Sequence, residues 1–313
     1  MHLSTKLFTQ AYISRLIAFF LVIGLFANSI FANDLIIPGS LLLVDSYAKG
    51  MAVTAAENKL EAIYTNPASL VNIEKICMQT AFSSFFEGLY STQSFTFGLP
   101  ITDKLKTAFS IPLKQISDLD QTIMQNDVGV KIGSFSDLQL EGHAAAAYEL
   151  NENISIGITY KYIYHKILNK SAKGYTIDLG CLFKSDLLNI GFILKNIQSS
   201  EKKWSSGEAE KFDPLYNVGI ALKPLNWLKL YGTYELNNQE LKRVFRRSSG
   251  QTNLGAEFIL NELGINLGIQ DFGKSNILGA GLTLTSNDLK LSYAVSLNEA
   301  LGQSHKIGFT ISF

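Results

Sequence analysis

The chain has 313 residues with 27 basic and 27 acidic side chains, a balance that excludes a basic surface of the kind nucleic acid requires. Only 17% of it is charged while 47% is hydrophobic, against the roughly 25% charge usual in soluble domains. Part of this protein therefore faces something other than water.

Residues 1–32 read as a signal peptide. Lys6 and Arg15 precede an apolar run from Leu16 to Ala27, followed by Asn28 to Ala32, the charged, apolar and small-residue order of a secretory leader. Cleavage is expected after Ala32, with Ser29 as the alternative. The apolar run is short against the roughly 20 residues a spanning helix needs. No later stretch is long and apolar enough to span as a helix, so the mature chain is periplasmic, secreted, or a barrel in the outer membrane. Removing the leader leaves 25 basic against 27 acidic residues. Cys77 and Cys181 stand on separate expected strands without metal-ligand or disulfide spacing and read as small packing residues.

Residues 33–75 do not alternate like the remainder. They contain an expected helix from Tyr47 through Leu60 and Ile63, then Asn66-Pro67, where proline biases Asn66 away from helix and makes a turn. From Ile76 to Phe313 the chain parses into fourteen segments with two-residue alternation. The expectation is an all-β fold, a transmembrane antiparallel β-barrel of about 14 strands over 76–313. Residues 33–75 are left to plug a lumen too wide for wall side chains to fill.

Two features separate a membrane barrel from a soluble sandwich. In each apolar register, such as Ile154, Ile156, Ile158, Tyr160 and Tyr162, no Asp, Glu, Lys or Arg is expected on the apolar face. Facing lipid at the midplane, Lys or Arg would cost about 2–4 kcal/mol. The charges go to the other face, where Lys161, Asp178, Lys195, Glu235, Glu257 and Lys290 are expected to line the lumen together with Lys106, Glu141, Glu149, Lys229 and Lys306. Connection length is the second feature. Connections after even-numbered segments are short, whereas Lys114 to Asp137, Gln198 to Pro214 and Asn237 to Gln251 are long, the asymmetry of periplasmic turns against extracellular loops. Tyr148, Tyr164, Tyr175, Phe183, Tyr216, Trp227 and Tyr234 fall near the expected interfaces.

The last segment carries Ile307, Phe309, Ile311 and Phe313 on one face. An apolar face ending on an aromatic looks like the closing strand of an outer-membrane barrel, so Phe309, Ile311 and Phe313 are read as a signal for the barrel assembly machinery. Inward glycines, among them Gly180, Gly191, Gly255 and Gly268, would admit the backbone of the plug or mark strand bends. Asp178, in mid-strand on the lumen face, needs an inward lysine, a plug amide or water. The four histidines, His2, His143, His165 and His305, are scattered, and no Gly-rich phosphate loop or Gly-x-Ser-x-Gly elbow is present. No enzyme activity, metal or cofactor is expected.

Tyr47 to Leu70 resembles the N-terminal plug of the FadL-like barrels, especially their PorV/PorQ branch, with Gly50 and Met51 in the glycine-rich stretch and Asn66, Pro67, Ala68 and Leu70 in the Asn-Pro-Ala-Gly-Leu motif. Ser69 replaces its glycine. Tyr175 to Phe183, Leu188 to Asn196 and Leu301 to Ile307 are similar to the family's Asp-Leu-Gly strand, its partner and its closing strand. The resemblance implies a fourteen-stranded barrel with a hatch in the lumen, outer-membrane lipids as surroundings, and passive uptake of a small hydrophobic molecule. It implies also a lateral gate at the third strand, where Pro112 interrupts the ladder or simply ends the strand. The alternative function it implies is partner or cargo binding in type IX protein secretion. The surface would be the loops carrying Trp204 and Arg243, Arg246 and Arg247.

Overall fold

A computed structural model describes residues 43–125, 128–237 and 250–313. The expected signal peptide, the start of the hatch up to residue 42, and Arg243, Arg246 and Arg247 lie outside the described residues. The described strands are β1 (Cys77–Phe85), β2 (Tyr90–Pro100), β3 (Leu105–Gln125), β4 (Val128–Asn151), β5 (Ile154–Ile167), β6 (Lys170–Phe183), β7 (Leu188–Ser199), β8 (Lys202–Trp204), β9 (Ala209–Glu210), β10 (Leu215–Leu225), β11 (Leu228–Asn237), β12 (Gln251–Leu260), β13 (Leu263–Gln270), β14 (Ile277–Ser286), β15 (Leu289–Asn298) and β16 (Gly302–Ser312). Neighbours pair antiparallel, and β1 with β16 closes the ring. β7 pairs directly with β10, so β8 and β9 form a side hairpin attached to β6. Fourteen strands thus make the wall. No helix among the described residues is long and apolar enough to cross a membrane.

Two-residue alternation fixes which face is which. Ile156, Ile158, Tyr160 and Tyr162 on β5 are 42–45% exposed on the outside, while Ser155 and Thr159 at the alternate positions are fully buried inside. Tyr148, Phe183 and Trp227 stand at the end of the barrel that holds Cys77 and Phe313, and Tyr164, Tyr175, Tyr216 and Tyr234 stand at the other. Between Phe183 and Tyr175 lie about 27 Å of strand, roughly 20 Å once tilted, close to the apolar band of an outer-membrane barrel. The Phe313 amide donates to the Ile76 carbonyl at 2.8 Å, so both ends of the wall meet at one rim.

Three expectations change. Lys114 to Asp137 is not a loop, because β3 and β4 run 21 and 24 residues and continue past the rim as a hairpin. Above the membrane both faces meet water, so pairing continues there without the alternation that marks a strand in lipid. Gln198 to Pro214 contains the β8–β9 hairpin. Lys166 lies on the outward face, paired across from Leu138 and Ser171, so that face does carry a charge. It is tolerated because eleven residues from Ile154 already reach Tyr164, about the length of strand that spans the hydrocarbon, which leaves Lys166 at headgroup level.

Candidate functional site

The segment Leu43–Lys75 is enclosed by the wall. Its residues from Leu43 to Ser69 are buried with few exceptions, and it touches strands on every side of the ring. The expected helix from Tyr47 to Ile63 is reduced to α1 (Asp45–Ala48) and a 3-10 turn at Leu60–Ile63. Gly50 and Met51 break it with φ of +60°, a conformation that a helix cannot continue through. The break lays backbone directly on the wall, since a Cβ at Gly268 would sit 2.1 Å from the Gly50 nitrogen.

Glu61 organises the start of this segment. Its carboxylate accepts from the amides of Val44, Asp45 and Ser46 at 2.8, 3.2 and 3.1 Å and from the Ser46 hydroxyl at 2.5 Å. Burial, reinforced by the neighbouring Asp45 carboxylate, raises the Glu61 pKa. Asp45 is buried too, which works to raise its pKa, but Lys290 and then Lys49 outweigh burial and hold it down to about 2.

Charge ties this first half to one side of the wall. Asp45 pairs with Lys290 on β15, Lys49 with Glu257 on β12 at 3.1 Å, and Glu57 with Lys223 on β10 at 2.8 Å. Tyr231 donates to the same Glu257 at 2.6 Å and offers its ring to Lys49. A polar cavity of about 390 Å³ lies here, reaching the rim that holds the chain ends through Asn261 and Asn287 and lined by Asp45, Lys49, Glu57 and Lys290.

The second half is held by packing and by backbone. Leu60, Ile63, Leu70 and Ile73 cluster with Cys77, Ala108, Ala145 and Ala147 of β1, β3 and β4. The Asn66 side chain accepts from Ala68 N at 3.2 Å and donates to the carbonyls of Thr54 at 2.8 Å and Cys181 at 3.1 Å. Asn66 is extended, as its proline requires. Only a glycine fits beneath it, because a Cβ at Gly180 would lie 2.1 Å from Asn66 Oδ1. Two motifs far apart in sequence thus meet. Ser155 and Thr159 on β5 donate to the carbonyls of Ala68 and Ile63.

Toward the opposite mouth an aromatic cluster stands among buried charged side chains of the wall, Lys114, Asp137, Glu141 and Lys306. Tyr47, Phe85, Tyr90 and Ile116 form a buried cluster, with Met51, Phe86 and Leu119 packed against it. Phe85 stacks on Tyr90 at 4.6 Å and meets Tyr47 edge-on at 6.2 Å. Lys306 reaches over the Tyr47 and Phe85 rings, and Lys114 over Tyr90.

Of the other expected lumen residues, Asp178 and Lys161 meet at 2.5 Å, and Asp178 also accepts from the Asn196 amide at 3.0 Å. The β6–β7 register shifts beside this contact. Glu235 accepts from Asn217 at 2.7 Å, while Lys195 lies on β7 at the shift. Pro112 is buried on the inward face, paired with Ser94 of β2. The β3–β4 pairs lapse at Ile111 and Pro112 but resume in unchanged register. Phe309 is half-buried on the outer face and Ile311 fully buried.

One group escaped the sequence reading. His143 bonds Glu141 and His165 bonds Asp137, each at 2.6 Å, with Gln139 between the two pairs. The signal was available, since Asp137, Gln139, Glu141 and His143 alternate along one strand face. Reading Lys114 to Asp137 as a loop left Asp137 off that strand. Among the described residues no cluster suited to a metal ion occurs.

No family profile matches this sequence, and no curated protein matches it. Solved structures do. The toluene transporter TbuX of Ralstonia pickettii is similar with a TM-score of 0.65 at 12% identity, over 86% of this chain and 97% of that one. The P. putida toluene transporter TodX gives 0.66 at 12% identity over 86% and 98%. A FadL homologue of Pseudomonas aeruginosa gives 0.56 at 10% identity over 87% and 99%. At such identities the likeness is one of fold, and by that fold the chain is a closed fourteen-strand barrel of the outer-membrane type found in FadL-family hydrocarbon transporters.

Proposed function

We propose that this barrel admits small hydrophobic compounds passively across the outer membrane, with Leu43–Lys75 as its hatch and no chemistry performed on the cargo. The observation that carries the reading is the difference between the two sides of that segment. Toward the mouth opposite the chain ends stands the aromatic cluster of Tyr47, Phe85 and Tyr90, and toward the rim of the chain ends lies the polar cavity around Lys49 and Lys290. An apolar solute would be held by the first and released as the hatch yields toward the second. The likeness to toluene transporters supports the solute class. In the same reading the lateral gate lies at Pro112, where β3 offers β4 no backbone donor.

Proteoliposomes carrying the barrel should take up a labelled monoaromatic hydrocarbon faster than empty vesicles, and Tyr90→Asp should abolish the excess while the barrel stays folded. Uptake equal to that of empty vesicles would refute the proposal.

A second reading, a PorV-like component of type IX secretion, is favoured by one observation. The β3–β4 hairpin carries Ile123, Met124, Val128 and Ile132 beyond the rim, 48–73% exposed. Apolar side chains held out in water suit contact with a partner or cargo protein. Trp204 in the neighbouring hairpin is half-buried against His165 and adds little to that surface. Co-purification of secretion components that is lost on Met124→Asp with Ile132→Asp would establish this role.

A further inference from the structure

On the outside of the barrel, β5, β6 and β8 form a shallow groove of about 560 Å³, lined by Tyr160, Tyr162, Tyr175, Lys173 and Lys203. Tyr160 stacks on Tyr175 at 5.9 Å, giving the lower part of the groove a flat aromatic floor. Its upper part is cationic. Lys173 stands directly across from Lys203 on β8 and from Tyr164 on β5, and Lys166 flanks them across from Ser171. All three lysines are exposed, and none forms a salt bridge among the described residues. Like charges directly opposed in a sheet destabilise it, so the Lys173–Lys203 pair is a cost unless an anion lies between them. The carboxylate in the groove, Glu201, is directed to Lys211 at 3.8 Å.

Hydroxyls complete the lining. Ser200 Oγ accepts from Tyr175 N at 2.8 Å, and Ser205 Oγ accepts from Ser171 N at 3.1 Å, which leaves both O–H groups to donate outward. The depth of the groove identifies its surroundings. Counting from Phe183 at the opposite interface, eleven residues of β6 end at Lys173, about the strand length that spans the hydrocarbon. The tyrosines therefore lie against acyl chains and the lysines among headgroups, on the side away from the chain ends.

We propose that this groove binds a phosphate-bearing glycolipid of the outer leaflet. The phosphate lies between Lys173 and Lys203 with Ser200 and Ser205 as further donors, and an acyl chain lies along Tyr160, Tyr162 and Tyr175. The site is independent of the lumen and of what the lumen carries.

The test is binding of diphosphorylated lipid A to the detergent-purified barrel, followed by native mass spectrometry, with dephosphorylated lipid A, phosphatidylcholine and inorganic phosphate as comparators. At about 1 kcal/mol for each lysine near an anionic surface, Lys173→Gln with Lys203→Gln should weaken binding about thirtyfold. Dephosphorylated lipid A should bind the unaltered barrel as weakly as lipid A binds the variant. Heat-dependent gel mobility will show that the variant is folded, and Lys173→Arg with Lys203→Arg should retain the lipid. Equal binding by the Gln variant, equal binding of dephosphorylated lipid A, or displacement of lipid A by millimolar inorganic phosphate would each overturn the proposal.

Discussion

Both halves of Leu43–Lys75 are packed against the wall, but the first adds three lysine–carboxylate pairs to that packing. From Asp45 to Glu57 the segment meets β10, β12 and β15 through three lysine–carboxylate pairs beside a polar cavity. From Leu60 to Ile73 it meets β1 to β6 through apolar packing and backbone hydrogen bonds. Packed apolar contacts are lost only by opening a cavity, whereas an ion pair is lost by neutralising one partner, at a cost that is small for the more exposed Glu57–Lys223 pair and larger for the buried pairs of Asp45 and Lys49. The first half should therefore respond to changes of charge and pH, and the second to changes of core volume.

The sharpest way to break this contrast is Leu70→Ala. Leu70 is fully buried, and its truncation should cost about 2–5 kcal/mol, read as faster hydrogen exchange across Leu60–Ile73 with the wall unchanged. Next is Lys290→Met, which leaves Asp45 beside Glu61 with Lys49 as its cation. A loss of about 3 kcal/mol is expected, the low end for a broken buried pair because Lys290 is a third exposed, and it should appear in exchange of residues 44–57. Asp45→Asn in the same chain should recover part of it. The Asp45 pKa is lowered on folding to about 2, so its contribution is complete above its ordinary value of about 3.9 and is lost as pH falls toward 2. Exchange in the first half should therefore be steady with respect to this group down to about pH 4 and accelerate below it.

Gly180→Ala should cost about 1–3 kcal/mol by forcing Asn66 off the wall, loosening the second half first. The smallest effect belongs to Lys223→Gln. Its partner Glu57 is about a third exposed, so roughly 0.5 kcal/mol is expected, and added salt should erase it. If Lys290→Met and Lys223→Gln left the first half as protected as before while Leu70→Ala released both halves together, the segment would be a single rigid plug.

Much of this architecture was legible in the order of residues. A strand between lipid and a filled lumen must alternate, so β5, β7 and β15 declared both their existence and their facing through Ile156, Phe192 and Leu291. Where both faces are largely exposed the code falls silent, as over residues 120–125 and 128–134. The Asn66-Pro67 turn was readable from proline stereochemistry, but its seat on Gly180 was not, because the partners are more than a hundred residues apart and meet only when the ring closes. The same holds for Asp45 and Lys290, at a separation of 245. The expected helix failed at Gly50 for a related reason, since the inner wall decides the course of this backbone.

The extra length of β3 and β4 has a mechanical consequence. Past its last pairs with β2 and β5 the ribbon carries its own ladder, with Leu119 packed on the aromatic cluster and Gln121 beside Leu168 and Trp204. Ile123, Met124, Val128 and Ile132 on this ribbon are exposed, and antibodies raised against it should label intact bacteria.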